Sequence, residues 1–330
     1  MVNATSRSDV ETLASWLHRH WNLRPARLQA LSSGHTNKTY LVECDPGRAV
    51  LRVSWSGKPV EQVHREATIL GQLDRTHAAP MRPALPRLRP TVDAQSGVQT
   101  ADGRWLHLFE HIDGRPGLPD DAQAGARDAM RVLAHLHAAL AAIPAGESAP
   151  LAWLSARHAR VAARAMPALP DDLNGEYDTV LRRIGALLDA AARWLTGPAH
   201  WLHGDYHAGN LLYEGHAVKG VLDFDDVGQG TQWLEAAFAS FALSRDAGRD
   251  DRFVFDAQRW EAGLLTYVET RPDRAPDWMR ANRDALTALF CADQTLIHLE
   301  AAQRGLWVPG PGIGFLGGWR HLLGDAARGH

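Results

Sequence analysis

In the first third of the chain, apolar and polar side chains alternate along short segments that are bounded by Gly, Pro and Asp. This period of two predicts strands at residues 28–33, 39–43, 49–53, 98–100 and 104–112. Turns with hairpin-forming residues separate several of them, as at 45–47 and 101–103. Apolar residues three or four apart predict two helices in the same region, at about 8–21 and 59–73. The front of the chain is therefore expected to be an antiparallel sheet with few helices.

The pattern changes to a helical period after Pro119. Apolar residues recur at three- and four-residue spacing over residues 120–142, 174–195, 232–243 and 282–305, and we expect a helix at each. Residues 307–318 are rich in Pro and Gly and are predicted to be a loop. The Gly/Pro-rich stretch 113–117 is the best domain boundary. The expected organisation is α+β, with an N-terminal lobe at 1–112 and a mainly helical C-terminal lobe at 113–330.

Composition excludes several classes of function. A formal charge of −3 over 330 residues provides no basic surface for nucleic acid. No apolar run approaches the length of a membrane span. The two cysteines, Cys44 and Cys291, are far apart and lack metal-ligand spacing, so a reducing cytoplasm is the simplest location. Nothing in the sequence indicates an oligomeric state.

The chemistry is concentrated between residues 203 and 226. Asp205 precedes Asn210 by five positions, and Asp223 follows a segment, residues 211–222, that is predicted to be a β-hairpin. Such a hairpin would return Asp223 beside Asn210. Oxygen ligands of this kind suit Mg²⁺, which shares its coordination with phosphates. Asp205 would then orient and deprotonate an attacking hydroxyl, which is a phosphotransferase arrangement.

This segment resembles the catalytic and metal-binding motifs of the aminoglycoside phosphotransferase and choline kinase family. Its catalytic loop reads His203-Gly204-Asp205, where protein kinases have His-Arg-Asp, and its metal loop reads Asp223-Phe224-Asp225 in place of Asp-Phe-Gly. The resemblance implies a bilobal protein-kinase-like fold with one key helix in the N-terminal lobe. It also implies that His203 holds the loop backbone and that Glu235 braces the loop. His137 is interpreted as a hydrogen-bonded packing residue.

The resemblance also implies a site for ATP, with GTP as an alternative, in the N-terminal lobe. Alternation places Arg52 on the face opposite Leu51, and helical spacing places Glu66 beside the inward face of the next helix. An Arg52–Glu66 pair is the predicted phosphate clamp, because a guanidinium binds carboxylate and phosphate in a bidentate manner. The remaining nucleotide contacts expected from the resemblance are the loop residues Ser33, Gly34 and Asn37, the hinge backbone of Glu110 and Ile112, and the purine-packing side chains of Val50 and Leu212.

The sequence leaves several chemical classes open for the phosphate acceptor. The resemblance suggests Asp226, Asp293 and Glu300 as contacts, which would suit an amino-sugar antibiotic or another cationic alcohol. Homoserine-like and other amino alcohols, and sugars, fit the same chemistry. A protein acceptor is a further alternative, because the run Asp223-Phe224-Asp225-Asp226 resembles bacterial stress-response protein kinases.

Two other classes of function stay open at this level. A metallohydrolase could use a mixed set of His and Asp ligands drawn from His203, Asp205, His207, Asp223 and Asp225. The metallohydrolase hypothesis assigns no role to Asn210. A nucleotide-binding protein without catalysis is the other alternative, although its expected mark, loss of the base or of a metal ligand, is missing from this sequence.

Overall fold

The computed structural model describes residues 7–33, 37–45, 47–76, 83–246, 249, 252–271, 276–308 and 315–324. The chain divides into two compact units. The first comprises Met1–Gly114 together with Lys219–Asp226, and the second comprises Arg115–Val218 and Val227–His330. The first boundary, between Gly114 and Arg115, falls within the Gly/Pro-rich stretch 113–117. The functional division into lobes at 1–112 and 113–330 stays a prediction.

The first unit is built on an antiparallel sheet. Its elements are α1 (Arg7–Trp21), β1 (Arg27–Ser33), β2 (Lys38–Cys44), β3 (Gly47–Val53), α2 (Val60–Thr76), β4 (Leu88–Arg89), β5 (Val98–Gln99) and β6 (Trp105–Glu110). The strand order is β1-β2-β3-β6-β4, and β5 pairs with β6. The strands and helices predicted for this region are therefore present, and α2 extends three residues beyond its predicted end.

The two faces of this sheet differ as the alternation predicts. One face packs Leu51, Val53 and Leu108 against Leu17 and Trp21 of α1 in a buried apolar cluster. Burying an aliphatic side chain of this size contributes about 1.5–3 kcal/mol, so this cluster is a main source of the unit's stability. Arg52 lies on the opposite face. Its guanidinium stacks over the ring of Phe109, at 4.9 Å from the ring centroid.

The segment 219–226 belongs to the first unit although it lies far along the chain. Ala84 forms a parallel bridge with Gly220, and its backbone N–H and C=O bond the backbones of Lys219 and Val221. These bonds explain why the predicted metal loop, which follows and begins at Asp223, groups with the N-terminal sheet.

The second unit is mainly helical. Its helices are α3 (Ala122–Ala141), α4 (Ala152–Ala162), α5 (Asp171–Asn174), α6 (Tyr177–Ala191), α7 (Gln232–Ser244), α8 (Ala257–Thr270), α9 (Pro276–Ala281), α10 (Arg283–Gln303) and α11 (Phe315–Leu323). Its strands are β7 (Arg115–Pro116), β8 (His200–Leu202), β9 (Leu211–Glu214) and β11 (Gly228–Gly230), and β10 (Ala217–Val221) crosses the unit boundary. β9 lies between β7 and β10, as the hairpin prediction requires, and β11 pairs with β8. No helix in the described part of the chain is long and apolar enough to cross a bilayer.

The loop predicted at 307–318 is wrong over residues 315–318, and residues 309–314 lie outside the described part of the chain. Residues 315–318 begin α11, whose buried residues include Phe315, Trp319 and Leu322. The adjacent Gly317 and Gly318 hid this helical period in the sequence. Gly317 is required by packing, because a Cβ there would lie 2.8 Å from the backbone carbon of Arg252.

Candidate active site

The loop that carries Asp205 follows the short strand β8 and is held by one buried carboxylate. Glu235, on α7, accepts hydrogen bonds from the backbone N–H groups of His203 (3.0 Å) and Gly204 (2.6 Å). Gly204 has a φ of 90°, a left-handed conformation that favours glycine and explains why this position departs from the arginine of protein kinases. The bracing contact predicted for Glu235 is therefore present.

His137 completes this support. Its Nε2 lies 2.8 Å from Oε2 of Glu235, and its Nδ1 lies 2.7 Å from the hydroxyl of Tyr267. Burial lowers the pKa of His137, which favours a neutral ring that donates to Glu235 and accepts from Tyr267. Burial raises the pKa of Glu235, but His137, the nearby ring of His203 and the N–H of Gly204 outweigh it and lower the pKa overall. His137 is thus a hydrogen-bonded packing residue, as the sequence indicated.

Asp205 is held from two sides. The side-chain amide of Asn210 donates to the backbone oxygen of Asp205 (2.9 Å) and to its Oδ2 (3.1 Å). Nε2 of His207 lies 3.4 Å from the same Oδ2. Burial raises the pKa of Asp205, whereas His207, His203 and Arg157 lower it, and the result is a pKa of about 2. The carboxylate is therefore ionised at neutral pH, and 35% of its side chain is exposed.

Asn210 lies in a one-turn 3₁₀ helix, Ala208–Asn210, which is capped by His207. Because the amide nitrogen of Asn210 makes both bonds to Asp205, neither bond uses its amide oxygen. An amide oxygen and a carboxylate are the hard donors that Mg²⁺ prefers, so Asn210 and Asp223 fit such an ion by their chemistry. The approach of Asp223 to Asn210 stays a prediction, since the two belong to different units.

The first unit concentrates charge around the metal loop. Arg52 forms ion pairs with Glu66 and with Asp223, whose Oδ1 lies 3.2 Å from Nη1 of the arginine. Asp223, two residues beyond the end of β10, has a φ of 61°, a left-handed backbone conformation that is uncommon outside glycine. Burial lowers the pKa of Arg52, but Glu66 and Asp223 outweigh this and raise it. The Arg52–Glu66 contact is as predicted, and its role as a phosphate clamp stays a prediction.

A second cation, Lys58, was not found by sequence reasoning. It pairs with Asp225, and its Nζ lies 4.0 Å from Oε2 of Glu66. Burial and the neighbouring Arg52 lower the pKa of Lys58 to about 8, so the ammonium form still dominates at neutral pH. The sequence signal was misleading, because a lysine in a Ser-Gly-Lys-Pro turn before a helix is typical of a solvated surface.

The other predicted nucleotide residues are placed as follows. Asn37 is buried and donates to Oδ2 of Asp225 (3.2 Å), while Ser33 ends β1 and Gly34 lies outside the described residues. The N–H of Glu110 bonds the carbonyl of Arg87 at the end of β6, and Ile112 follows that strand. Val50 lies on β3 and Leu212 on β9, each in its own unit. Their nucleotide contacts stay predictions.

Two of the three carboxylates suggested for acceptor binding, Asp293 and Glu300, are already engaged by arginines. Asp293 lies 2.5 Å from Nη1 of Arg157, and Glu300 lies 2.8 Å from both Nε of Arg160 and Nη2 of Arg304. Burial raises the pKa of Asp293 to about 6 despite Arg157. Asp226 is exposed in the first unit. Direct binding of a cationic acceptor by these residues stays a prediction, and sequence reasoning did not find the arginines.

The mixed His/Asp metal site of the hydrolase alternative would draw its ligands from both units, and it stays an alternative prediction. Nδ1 of His203 accepts the N–H of Asp205 (3.3 Å), so this ring holds the loop. In the described part of the chain, the group of side chains placed to share a metal ion is Glu66, Asp223 and Asp225, and it contains no histidine.

Comparison with known proteins agrees with this geometry. A model of the phosphotransferase enzyme family matches residues 27–285, more than three quarters of the chain. An aminoglycoside 3′-phosphotransferase from Niallia circulans is 31% identical over 84 residues, which are 26% of this chain and 31% of that relative. The matched stretch thus covers about a third of the length of the curated relative.

Two solved structures share the fold over almost the whole chain. An amicoumacin kinase in complex with AMP-PNP and Ca²⁺ superposes with a TM-score of 0.69 at 13% identity, covering 96% of this chain and 94% of its own. A microcompartment-associated aminopropanol kinase gives a TM-score of 0.66 at 21% identity, covering 96% and 98%. These likenesses confirm the predicted α+β kinase-like fold.

Proposed function

Because the chain belongs to the phosphotransferase enzyme family, we propose that it transfers the γ-phosphate of ATP to a hydroxyl group of a small amino alcohol. Family membership confirms the resemblance that the catalytic loop suggested. The observation that carries the proposal is the loop itself. Asp205 is ionised and partly exposed, Asn210 and His207 hold its carboxylate, and Glu235 fixes its backbone.

We assign the roles as follows. Asp205 orients the acceptor hydroxyl and receives its proton. A carboxylate with so low a pKa is a weak base, so most of the acceleration comes from positioning and charge stabilisation, as phosphoryl transfer requires. Asn210 and Asp223 hold Mg²⁺, which supplies charge neutralisation on the triphosphate when it is bound. Arg52, oriented by Glu66, contacts the phosphates.

The nature of the substrates is supported by the relatives. The amicoumacin kinase carries AMP-PNP and Ca²⁺, which supports a nucleoside triphosphate with a divalent ion here. The names of the relatives include an aminoglycoside and an aminopropanol, which are both amino-bearing alcohols. The remaining predicted nucleotide contacts, from Ser33, Gly34 and Asn37 to the hinge at Glu110 and Ile112, belong to the same proposal, with Val50 and Leu212 against the purine.

The test is an ATP-consumption screen over aminoglycosides, aminopropanol, homoserine and choline with Mg²⁺. With the best acceptor, Asp205→Asn should reduce kcat by ~10²–10⁴-fold, because it removes the group that receives the proton. The matched control is Asp189→Asn, at an exposed position of α6 in the same unit, which should leave kcat unchanged. Near-parental turnover by Asp205→Asn would disprove the mechanism.

A further inference from the structure

The second aspartate of the Asp223-Phe224-Asp225 motif has no role in the mechanism above, and its surroundings differ from those of the first. Carboxylate oxygens of Glu66, Asp223 and Asp225 all lie within 4.8 Å of one another. Their exposure is unequal, with 34% of the Asp223 side chain exposed, 11% of Asp225 and 3% of Glu66. Asp223 is thus the outward carboxylate of the group.

Asp225 is saturated by donors from its own unit. Lys58, whose side chain is fully buried, binds Oδ1 directly, and Nη2 of Arg52 lies farther from the same oxygen, at 3.8 Å. The Asn37 amide donates to Oδ2 at 3.2 Å. The side-chain amide of Gln62 donates to the backbone oxygen of Asp225 at 3.0 Å. Both carboxylate oxygens are therefore engaged from inside the unit.

The charges of the group explain why a lysine is needed there. Glu66, Asp223 and Asp225 bring three negative charges, and Arg52 and Lys58 bring two positive charges, which leaves one negative charge. A buried carboxylate without a counter-ion is costly, and the cost is relieved by pairing or by a metal. Lys58 supplies the pairing from within the chain.

We propose that Lys58 is a positioning residue that holds Asp225 inward as its counter-ion and so reserves Asp223 as the carboxylate that faces the nucleotide's divalent cation. This inference rests on the proposed function. In this proposal Asp225 forms a buried ion pair with Lys58, and Asp223 is the ligand of the divalent cation. It also follows that removal of Lys58 leaves Asp225 able to recruit a further divalent cation.

The experiment counts Mn²⁺ ions per chain, by titration calorimetry and electron paramagnetic resonance, at saturating AMP-PNP. The wild type and Lys58→Arg, which keeps the charge, should bind the same number of ions. Lys58→Met should bind one additional ion, and Lys58→Met combined with Asp225→Asn should return to the wild-type number. Asp225→Asn alone should keep the wild-type number, whereas Asp223→Asn should lose an ion or weaken its binding by at least ~10-fold.

The outcomes distinguish failure of the proposed function from failure of the role proposed for Lys58. If the wild type binds no AMP-PNP with Mn²⁺, the proposed function fails. If the wild type binds both, but Asp225→Asn loses an ion as Asp223→Asn does, Asp225 is itself a ligand and the inference fails alone. An unchanged ion count in folded Lys58→Met would also overturn it. Should Lys58→Met not fold, recovery of the fold and of the wild-type count in the double variant supports the pair, and failure of that recovery overturns it.

Discussion

At the level of single side chains, Glu235 carries an unusual share of the bonds that hold the catalytic loop. Replacement by alanine would leave the N–H groups of His203 and Gly204 and the ring of His137 without their acceptor. An unsatisfied buried polar group costs about 1–3 kcal/mol, so Glu235→Ala should lower the free energy of unfolding by about 3 kcal/mol or more. Urea denaturation measures this.

The controls for this prediction separate the loss of bonds from the loss of volume. Glu235→Gln keeps an acceptor oxygen and should lose less stability than the alanine variant. Glu269→Ala removes an exposed carboxylate from α8 and should change stability by no more than ~0.5 kcal/mol. Equal losses in Glu235→Ala and Glu269→Ala would show that the brace contributes nothing.

Asp293 provides a pH-dependent prediction. Burial raises its folded-state pKa to about 6, above the value of about 4 that an unfolded aspartate has. The folded state thus binds this proton more tightly, and the associated stability is fully present below pH ~4 and lost as the pH rises through about 6. As the pH rises between these limits, the free energy of unfolding of the wild type should fall by up to roughly 3 kcal/mol relative to that of Asp293→Asn.

The measurement is the free energy of unfolding of both proteins in urea at several pH values from 4 to 7. The asparagine variant lacks the titrating group, so the difference between the two curves isolates Asp293. A difference that stays constant with pH would show that the pKa of Asp293 is not raised in the folded state. A difference that favours the wild type as the pH rises would show that Arg157 dominates and lowers this pKa.

At the level of elements, the contact of β11 with α4 depends on a glycine. A Cβ at Gly230 would lie 2.4 Å from Cδ1 of Trp153 on α4 and 3.0 Å from a methyl group of Leu202 on β8. Trp153 also lies beneath the guanidinium of Arg157, at 5.7 Å. Gly230→Ala should therefore destabilise the protein by about 1–3 kcal/mol, the usual cost of overpacking.

The matched control is Gly175→Ala. Gly175 has a φ of −67°, which any residue adopts, and nothing lies within 4 Å of a Cβ built there. This variant should be neutral or slightly stabilising, because alanine reduces the entropy of the unfolded chain. Thermal unfolding of both variants measures the contrast, and equal midpoints would refute the packing argument.

Elements of this protein were easier to predict than the contacts between them. The alternation around Arg52 and the spacing around Glu66 placed both residues correctly, because periodicity along one strand or helix determines which face a side chain occupies. The partner of Lys58 lies 167 positions along the chain and that of Arg157 lies 136, and no local pattern encodes such pairs. The helix α11 was missed because two adjacent glycines interrupt its apolar period.

At the level of the whole molecule, the proposed roles divide between the two units. Arg52, the cation expected to contact the nucleotide, and the predicted metal loop from Asp223 belong to the first unit, and the loop of Asp205 belongs to the second. Binding and turnover should therefore respond to different substitutions. A ligand that binds only the folded state stabilises it in proportion to the logarithm of its concentration over Kd, so unfolding reports binding without any turnover.

Mg²⁺–AMP-PNP at about 100 times its Kd should stabilise the wild type by ~2.7 kcal/mol. Asp205→Asn should retain this gain while losing turnover, because its carboxylate serves the acceptor hydroxyl. Arg52→Ala should lose part of this stabilisation. A tenfold weaker Kd would leave ~1.4 kcal/mol at the same nucleotide concentration.

The matched control is Arg24→Ala, which removes an exposed arginine of the first unit and should be stabilised as much as the wild type. If Asp205→Asn lost the stabilisation and Arg52→Ala kept it, Asp205 would serve nucleotide binding and Arg52 would not, and the roles assigned to these two residues would be wrong.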